Sequence, residues 1–287
     1  MADAAHDIAL PTLGEALAWA RQRIDPLDAR ILLAHAARVR TATLLAYPER
    51  RLPETVWRLF RTLVTRRAAG EPVAYLTGER EFYGRTFCVS PAVLIPRPDT
   101  ETLVDVALSV ADQRPGAALR ILDLGTGSGC IAITLALELP HAEVVAVDRS
   151  RAALAVALNN AQRLGASVSF VESDWFSRLG LELFDLIVAN PPYLAEDDPH
   201  LNAGDLRFEP RQALVEQHEG LAAIARIVAE APRYLAPGGW LLCEHGYSQG
   251  HAVRGRLLDA GFLHVQTWRD LAGHERVSGG RKRRPNE

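Results

Sequence analysis

Apolar positions recur at helical spacing through the first 70 residues. Leu13, Leu17 and Ala20 share one face, and Ile31, Leu32 and His35 repeat the spacing in the next segment. Asp25 followed by Pro26 predicts an N-cap with proline at the first helical position, and Pro53-Glu54 opens another helix that ends at Gly70. From Tyr75 to Val89 the period falls to two: Phe82, Tyr83, Phe87 and Val89, set off by Gly78 and Gly84, predict a hairpin. Pro91, Pro96 and Pro98 then stiffen a connector into a helix over residues 100–111, with Asp99 and Glu101 in its first turn, where acids suit the helix dipole.

After Pro115-Gly116 strands and helices alternate. Strands are predicted at 119–122, 144–147, 168–171 and 186–189, with helices from about Cys130 and over 151–164. A helix over 220–234 leads through Pro237-Gly238-Gly239 to a strand at 240–243. A helix around 252–258 and two strands, 264–268 and 276–278, complete the chain. Such alternation predicts a parallel sheet covered by helices on both faces.

At 287 residues, 48% hydrophobic and 23% charged, the chain has an ordinary globular composition. Its first residues are acidic, unlike a secretory signal, and no stretch reaches the roughly 20 apolar residues of a membrane span, so a soluble cytoplasmic protein is expected. Cys88, Cys130 and Cys243 are odd in number and far apart in apolar surroundings, which predicts buried, inert thiols and no metal site. Net charge is −3, but residues 21–67 carry eleven arginines against four acids, a basic front end on an acidic body.

The chemistry begins where the first core strand ends, at Asp123-Leu124-Gly125-Thr126-Gly127-Ser128-Gly129-Cys130. Glycines there permit positive φ and close approach of a ligand to the backbone. A dinucleotide fingerprint would put glycine or alanine where Cys130 stands. Gly-x-Gly-x-Gly after an acid is similar instead to the S-adenosylmethionine loop of class I methyltransferases. The next strand ends in Asp148, about twenty residues on, where a carboxylate can accept from a ribose diol. The strand after it ends in Ser173-Asp174-Trp175-Phe176, which offers Asp174 to an adenine amino group and Trp175 as a flat face. Each has a plainer reading: the glycines as a connection, Asp148 as an N-cap for the next helix, Trp175 as core.

The fourth strand runs into Asn190-Pro191-Pro192-Tyr193 at the same edge. An amide or aromatic amine nitrogen is a weak nucleophile because its lone pair is delocalised. The Asn190 side-chain oxygen and the Pro191 carbonyl can each accept one N–H of an NH₂ group, fixing its orientation and favouring the positive charge it gains. Pro191 and Pro192 stiffen the turn, and Tyr193 can pack on the planar group. The plainer reading is a turn after a strand.

Nearly the whole chain resembles the bacterial release-factor glutamine methyltransferases. The resemblance rests on Gly70 to Gly78 with Glu81-Phe82-Tyr83-Gly84, on Val93 to Glu101, and on Asp123 to Gly129. It continues through Ser173 to Phe176, Asn190 to Tyr193 and Arg207-Phe208-Glu209-Pro210-Arg211. In the Arg-Pro-Glu-Thr-Glu run of that family, this chain has Asp99 in place of the first glutamate.

The resemblance implies an α/β fold, the class I Rossmann-like methyltransferase with a seven-stranded, mostly parallel sheet. It implies a helical N-terminal domain (1–72) that docks the release factor, a β-hairpin linker (73–97) and a catalytic domain (98–287). Gly125, Thr126, Gly127, Ser128, Gly129, Asp148, Trp175 and Asn190 would hold S-adenosyl-L-methionine. Asn190, Pro191, Pro192 and Tyr193 would grip the glutamine of the Gly-Gly-Gln motif in class I peptide chain release factors. A monomer without stable nucleic-acid binding is expected. The competing class, an adenine N-methyltransferase, uses the same tetrapeptide on an extruded base and needs phosphate contacts. An acidic catalytic half and the lack of a long insertion argue against it, although the basic domain and Arg281-Lys282-Arg283-Arg284 leave it room.

Overall fold

The computed structural model describes residues 10–113, 118–202, 204–285 and 287, so the acidic first residues and the Pro115-Gly116 boundary lie outside the described residues. The chain divides between Gly78 and Glu79 into two compact units.

The first unit is helical: α1 (Leu13–Ala20), α2 (Pro26–Ala37), α3 (Thr41–Ala46), α4 (Glu54–Ala68) and α5 (Val73–Thr77). Local chemistry sets the starts. Thr12 and Glu15 form a reciprocal capping box on α1, and the Asp25 side chain accepts from the Leu27 amide ahead of Pro26 on α2. The core gathers Leu13, Leu17, Leu32, Leu33, Phe60 and Leu63, with Trp19 edge-on to Trp57 at 5.0 Å. The buried face of α2 is Ala29, Leu32, Leu33 and Ala36; Ile31 and His35, expected on that face, are exposed. Three apolar residues in a row, Ile31-Leu32-Leu33, admit two stripes, and the alanines decide between them.

The second unit opens with a hairpin, β1 (Glu79–Phe82) and β2 (Arg85–Cys88). It begins later than Tyr75, because Pro72 starts a helical turn that buries Ala74, Tyr75 and Leu76 and ends at Gly78. A one-turn 3₁₀ helix, Pro98–Thr100, leads into α6 (Glu101–Ala111). Then come β3 (Arg120–Leu124), α7 (Cys130–Glu138), β4 (Glu143–Asp148), α8 (Arg151–Leu164), β5 (Ser169–Glu172) and β6 (Phe184–Ala189). After the short α9 (Arg211–Leu214) and α10 (Gln217–Gly220) follow α11 (Ala222–Glu230), β7 (Leu235–Glu244), α12 (Gly250–Asp259), β8 (Leu263–Arg269) and β9 (Glu275–Arg281).

The seven strands lie in the order β5-β4-β3-β6-β7-β9-β8, with β9 antiparallel to both neighbours and the other pairs parallel. Side chains alternate between two cores. Ile121, Ala146, Val188 and Leu242 face Leu103, Ile131 and the hairpin's Phe82 and Phe87, while Leu122, Val147, Ile187 and Leu241 face Ile224, Ile227 and Val253. Two strands outrun their expected limits by three residues or more at one end. β7 continues through Pro237-Gly238-Gly239 because it bulges there, its pairing jumping from Phe184↔Leu235 to Leu186↔Trp240. β9 continues through Gly279, where a Cβ would stand 2.5 Å from Leu242, so only glycine fits the ladder. No helix among the described residues is long and apolar enough to cross a membrane.

One buried side chain ties three elements together. Asn160 on α8, 1% exposed, accepts from the Cys88 amide (2.7 Å) and donates to the carbonyls of Cys88 (3.0 Å) and Ser128 (2.9 Å). It thus pins β2 to α8 and to the glycine turn. Asn160→Ala leaves these groups unpaired in the interior, and a loss of about 3 kcal/mol is expected. Urea unfolding measures it; an unchanged midpoint would remove Asn160 from the framework.

Candidate active site

Parallel pairing of β3 with β6 sets Leu124 opposite Ala189, so the glycine turn and the Asn190 tetrapeptide leave the sheet side by side at its carboxyl edge. Chain order reverses at this point, which opens a crevice there. A cleft with about 1170 Å³ of open space fills it, and its walls include Gly125 to Ser128, Asp148, Asp174, Trp175, Asn190 and Pro192. The opposite wall comes from Val93, Pro96, Arg97 and Thr100 and from residues around Val215. Gly129 lies just behind, where a Cβ would strike Ile133 at 2.8 Å. Pro191 and Tyr193 are not among the lining residues.

The turn owes its shape to two carboxylates. Gly125, Gly127 and Gly129 take φ of 74°, 55° and 82°. Asp148 accepts from the Gly127 amide (2.9 Å) and the Ser150 amide (2.8 Å), and Asp123 accepts from the Thr126 hydroxyl (2.7 Å). The plainer role for Asp148, capping α8, falls instead to Ser150, whose side chain accepts from Ala153. Two accepted bonds leave the Asp148 side chain with acceptor capacity for a diol at the cleft wall. Trp175 is half-buried at a φ of 51°, and its ring lies against the open face of Gly125, where a Cβ would come within 3.4 Å. Ser173 holds this turn by donating to the Trp175 carbonyl (2.8 Å) and accepting from the Arg178 amide. One oxygen of Asp174 is taken by Arg226 at 2.7 Å.

At the tetrapeptide, the Asn190 amide nitrogen donates to the Thr100 hydroxyl (3.2 Å), which turns its oxygen away from Thr100. Tyr193 points its hydroxyl toward Glu244 (3.4 Å), and its carbonyl accepts from Gln249 (3.0 Å). Burial, reinforced by the Glu244 charge, drives the phenol well above its ordinary range. Glu209, from the Arg207–Arg211 block, is buried, paired with Arg97 and bonded to the Ile95 amide (3.0 Å), and burial raises its carboxyl. The basic end of the chain is folded back: Arg281 pairs with Glu287 at 2.7 Å, and Lys282 donates to the Leu235 carbonyl at 2.6 Å. Cys130 and Cys243 are buried as expected, their thiols pushed up to about 12 by burial, but Cys88 is only half-buried and touches Arg163.

Residues 104–266 match the family described as Methyltransferase small domain, and residues 14–78 match PrmC N-terminal domain. A release factor glutamine methyltransferase of Bordetella pertussis is 53% identical over 258 residues, covering 88% of this chain and 94% of that one. Its counterpart in Escherichia coli K12 is 46% identical over 272 residues, covering 92% and 97%. The chain belongs to the release factor glutamine methyltransferase family. Among solved structures, the catalytic domain of hMettl16 in complex with MAT2A 3'UTR hairpin 6 superposes with a TM-score of 0.54, covering 76% of this chain and 81% of that one. At 17% identity that likeness is one of fold, and it bears out the methyltransferase sheet expected for this family.

Thr100, Glu209 and Glu244 escaped residue-by-residue reading. Thr100 and Glu209 stand inside the motif blocks Val93 to Glu101 and Arg207 to Arg211, a signal that marked the segments without showing which side chains turn inward.

Asp123 carries a testable charge. Burial pushes its carboxyl up to about 7, against the opposing bond from Thr126. A carboxyl raised on folding favours the folded state most at low pH, and that contribution is lost as pH climbs toward about 7. Asp123→Asn should therefore gain stability relative to the unaltered protein between about pH 5 and about pH 8. Denaturant unfolding at both ends tests this; a constant difference would show that Asp123 does not titrate in that window.

Proposed function

We propose that this chain transfers the methyl group of S-adenosyl-L-methionine to the side-chain amide nitrogen, N5, of the glutamine in the Gly-Gly-Gln motif of class I peptide chain release factors. The observation that carries the chemistry is the commitment of the Asn190 nitrogen to Thr100, which leaves the side-chain oxygen as the group Asn190 offers a ligand. An acceptor suits an NH₂ group. The relatives' name, release factor glutamine methyltransferase, supplies the substrate.

The cleft residues fit the methyl donor. The glycine turn has no side chain to fill the space beside Trp175, Asp148 retains lone pairs for a ribose diol, and the ring of Trp175 offers an apolar face. When bound, S-adenosylmethionine supplies a sulfonium methyl, an electrophile whose leaving group is a neutral thioether. The chain's own task is then to orient the nitrogen. The Asn190 oxygen and the Pro191 carbonyl accept the two N–H bonds, so the lone pair is directed at the methyl and the charge that develops on nitrogen meets two dipoles. Pro191 and Pro192 hold those acceptors still, and Tyr193 braces the turn against Glu244.

The helical unit, basic over residues 21–67, is proposed to dock an acidic surface of the release factor, with the hairpin as the linker to the catalytic domain. A release-factor substrate supports a cytoplasmic location. Adenine as substrate is disfavoured by the acidic balance of the catalytic half of the chain.

Transfer of labelled methyl to purified release factor, beside one whose Gly-Gly-Gln glutamine is replaced, decides the substrate. Label is expected only in the first, and equal labelling would refute the glutamine reading. Asn190→Ala should lower transfer by roughly 100-fold or more, with calorimetry showing cofactor binding largely kept. Unchanged turnover would take Asn190 out of the mechanism.

A further inference from the structure

We propose that Gln249 is a positioning residue for methyl transfer: its side-chain amide holds the peptide plane that ends the tetrapeptide, and so fixes where the Pro191 carbonyl stands. Its consequence for catalysis rests on the function proposed above.

The tetrapeptide is a short bridge that needs an anchor at each end. At its start β6 supplies one, because Ala189 is paired with Cys243 of β7. Each proline narrows the backbone to a basin rather than to one value, and the ψ of Pro192 and both dihedrals of Tyr193 lie beyond that restraint. The bridge can therefore pivot unless its far end is held. That far end is the peptide plane joining Tyr193 to Leu194, and it is gripped at both poles. Its N–H, on Leu194, donates to the Leu214 carbonyl at 2.9 Å, and its oxygen, on Tyr193, accepts from the Gln249 side-chain nitrogen at 3.0 Å. Loss of the Gln249 bond leaves the plane free to swing about the other.

The side chain suits this task because its two ends are opposite in kind. Gln249 Oε1 accepts from the Gly246 amide at 2.8 Å, which turns the NH₂ end toward Tyr193. An ionised glutamate would bring acceptors to both places and set its charge against the Tyr193 oxygen. The backbone under the side chain is firm as well. Gln249 is the N-cap residue of α12; its amide donates to the Gly246 carbonyl (2.9 Å), and its own carbonyl accepts from Val253 (3.0 Å), which is buried in the core with Ile224 and Ile227. The seating of α12 on the sheet is thereby passed to the tetrapeptide.

A third element closes on the same oxygen. Gly220, at the end of α10, takes a φ of 78°, and a Cβ there would stand 2.0 Å from the Tyr193 oxygen and 2.5 Å from its carbonyl carbon. Only glycine lets α10 come so near, so the plane has a wall beside it as well as a bond. Neither Gly220 nor Gln249 is among the residues lining the cleft, so Gln249 acts on the reaction through the tetrapeptide and not by touching the methyl donor.

Full-length protein with a ¹³C-labelled Tyr193 carbonyl tests the hold without any release factor, above neutral pH. The resonance should move in Gln249→Met, which keeps the length and loses both bonds, and in Gln249→Glu, which keeps the acceptor for Gly246 and loses the donor for Tyr193. An unmoved resonance in either variant overturns the proposal. In the transfer assay both variants should lower kcat by about 10- to 100-fold, with KM for release factor and calorimetric cofactor affinity held. Unchanged kcat overturns the proposal, as does a loss of cofactor affinity that matches the fall in kcat, the mark of a general loosening of the cleft. Gly220→Ala, which crowds the same oxygen and leaves Gln249 in place, should lower kcat in the same way, and full activity there counts against the proposal; if that variant does not fold, the two Gln249 variants decide. Failure of the unaltered protein to label release factor sinks the proposed function alone, and the carbonyl resonance still decides whether Gln249 holds the plane.

Discussion

Everything at the cleft depends on the register between β3 and β6. Because Leu124 sits opposite Ala189, the strand that delivers the glycine turn and the strand that delivers Asn190 end at the same height. A parallel pair cannot be joined by a tight turn, so β6 reaches this place only after the chain has built β4 and β5 on the other side of β3. That detour also brings Asp148 and Trp175 to the same edge. A slip of one residue in β6 would turn Ile187 toward the wrong core as well as displacing Asn190, so hydrophobic packing enforces the catalytic geometry.

Around this edge the protein buries carboxylates that hydrophobic residues could replace more cheaply. Asp123 holds the glycine turn, Glu209 joins the connector before α6 to the segment after the tetrapeptide, and Glu244 stands behind Tyr193. Burial raises all three, so each has a cost in folding free energy. They share one feature: each fixes a segment that forms the cleft and belongs to neither core. Loops without apolar anchors need directional bonds to stay in place, and a carboxylate offers several acceptor sites to amides that no strand or helix satisfies.

How much of this was legible in the sequence follows the same division. Periodicity located the helices and the parallel strands because apolar spacing and burial are the same physical fact. It failed where burial was decided by partners distant in sequence: at the β7 bulge, at Gly279 against Leu242, and at Ile31, whose neighbours alone could not show which stripe α2 would bury. Glycine and proline motifs located Gly125 to Gly129 and Asn190 to Tyr193, since their backbone demands are local. Asn160 and Glu244 left no such trace. Each is a single polar letter whose place is defined by a hydrogen bond across the fold.

A grip built only of acceptors also discriminates. On the proposed function, with one Asn190 N–H given to Thr100, the oxygen at the other end of that amide and the Pro191 carbonyl would satisfy an NH₂ group, and neither oxygen can offer a proton to a carboxylate. Glutamate differs from glutamine by little in size, so shape alone would separate them poorly. Its charged oxygen would face two negative dipoles in a partly desolvated cleft, and that unpaired charge supplies the rejection. On the proposed function, the bond that would orient Asn190 for methyl transfer is therefore the same one that would deny the site to the acid, so positioning and selectivity would have a single physical origin.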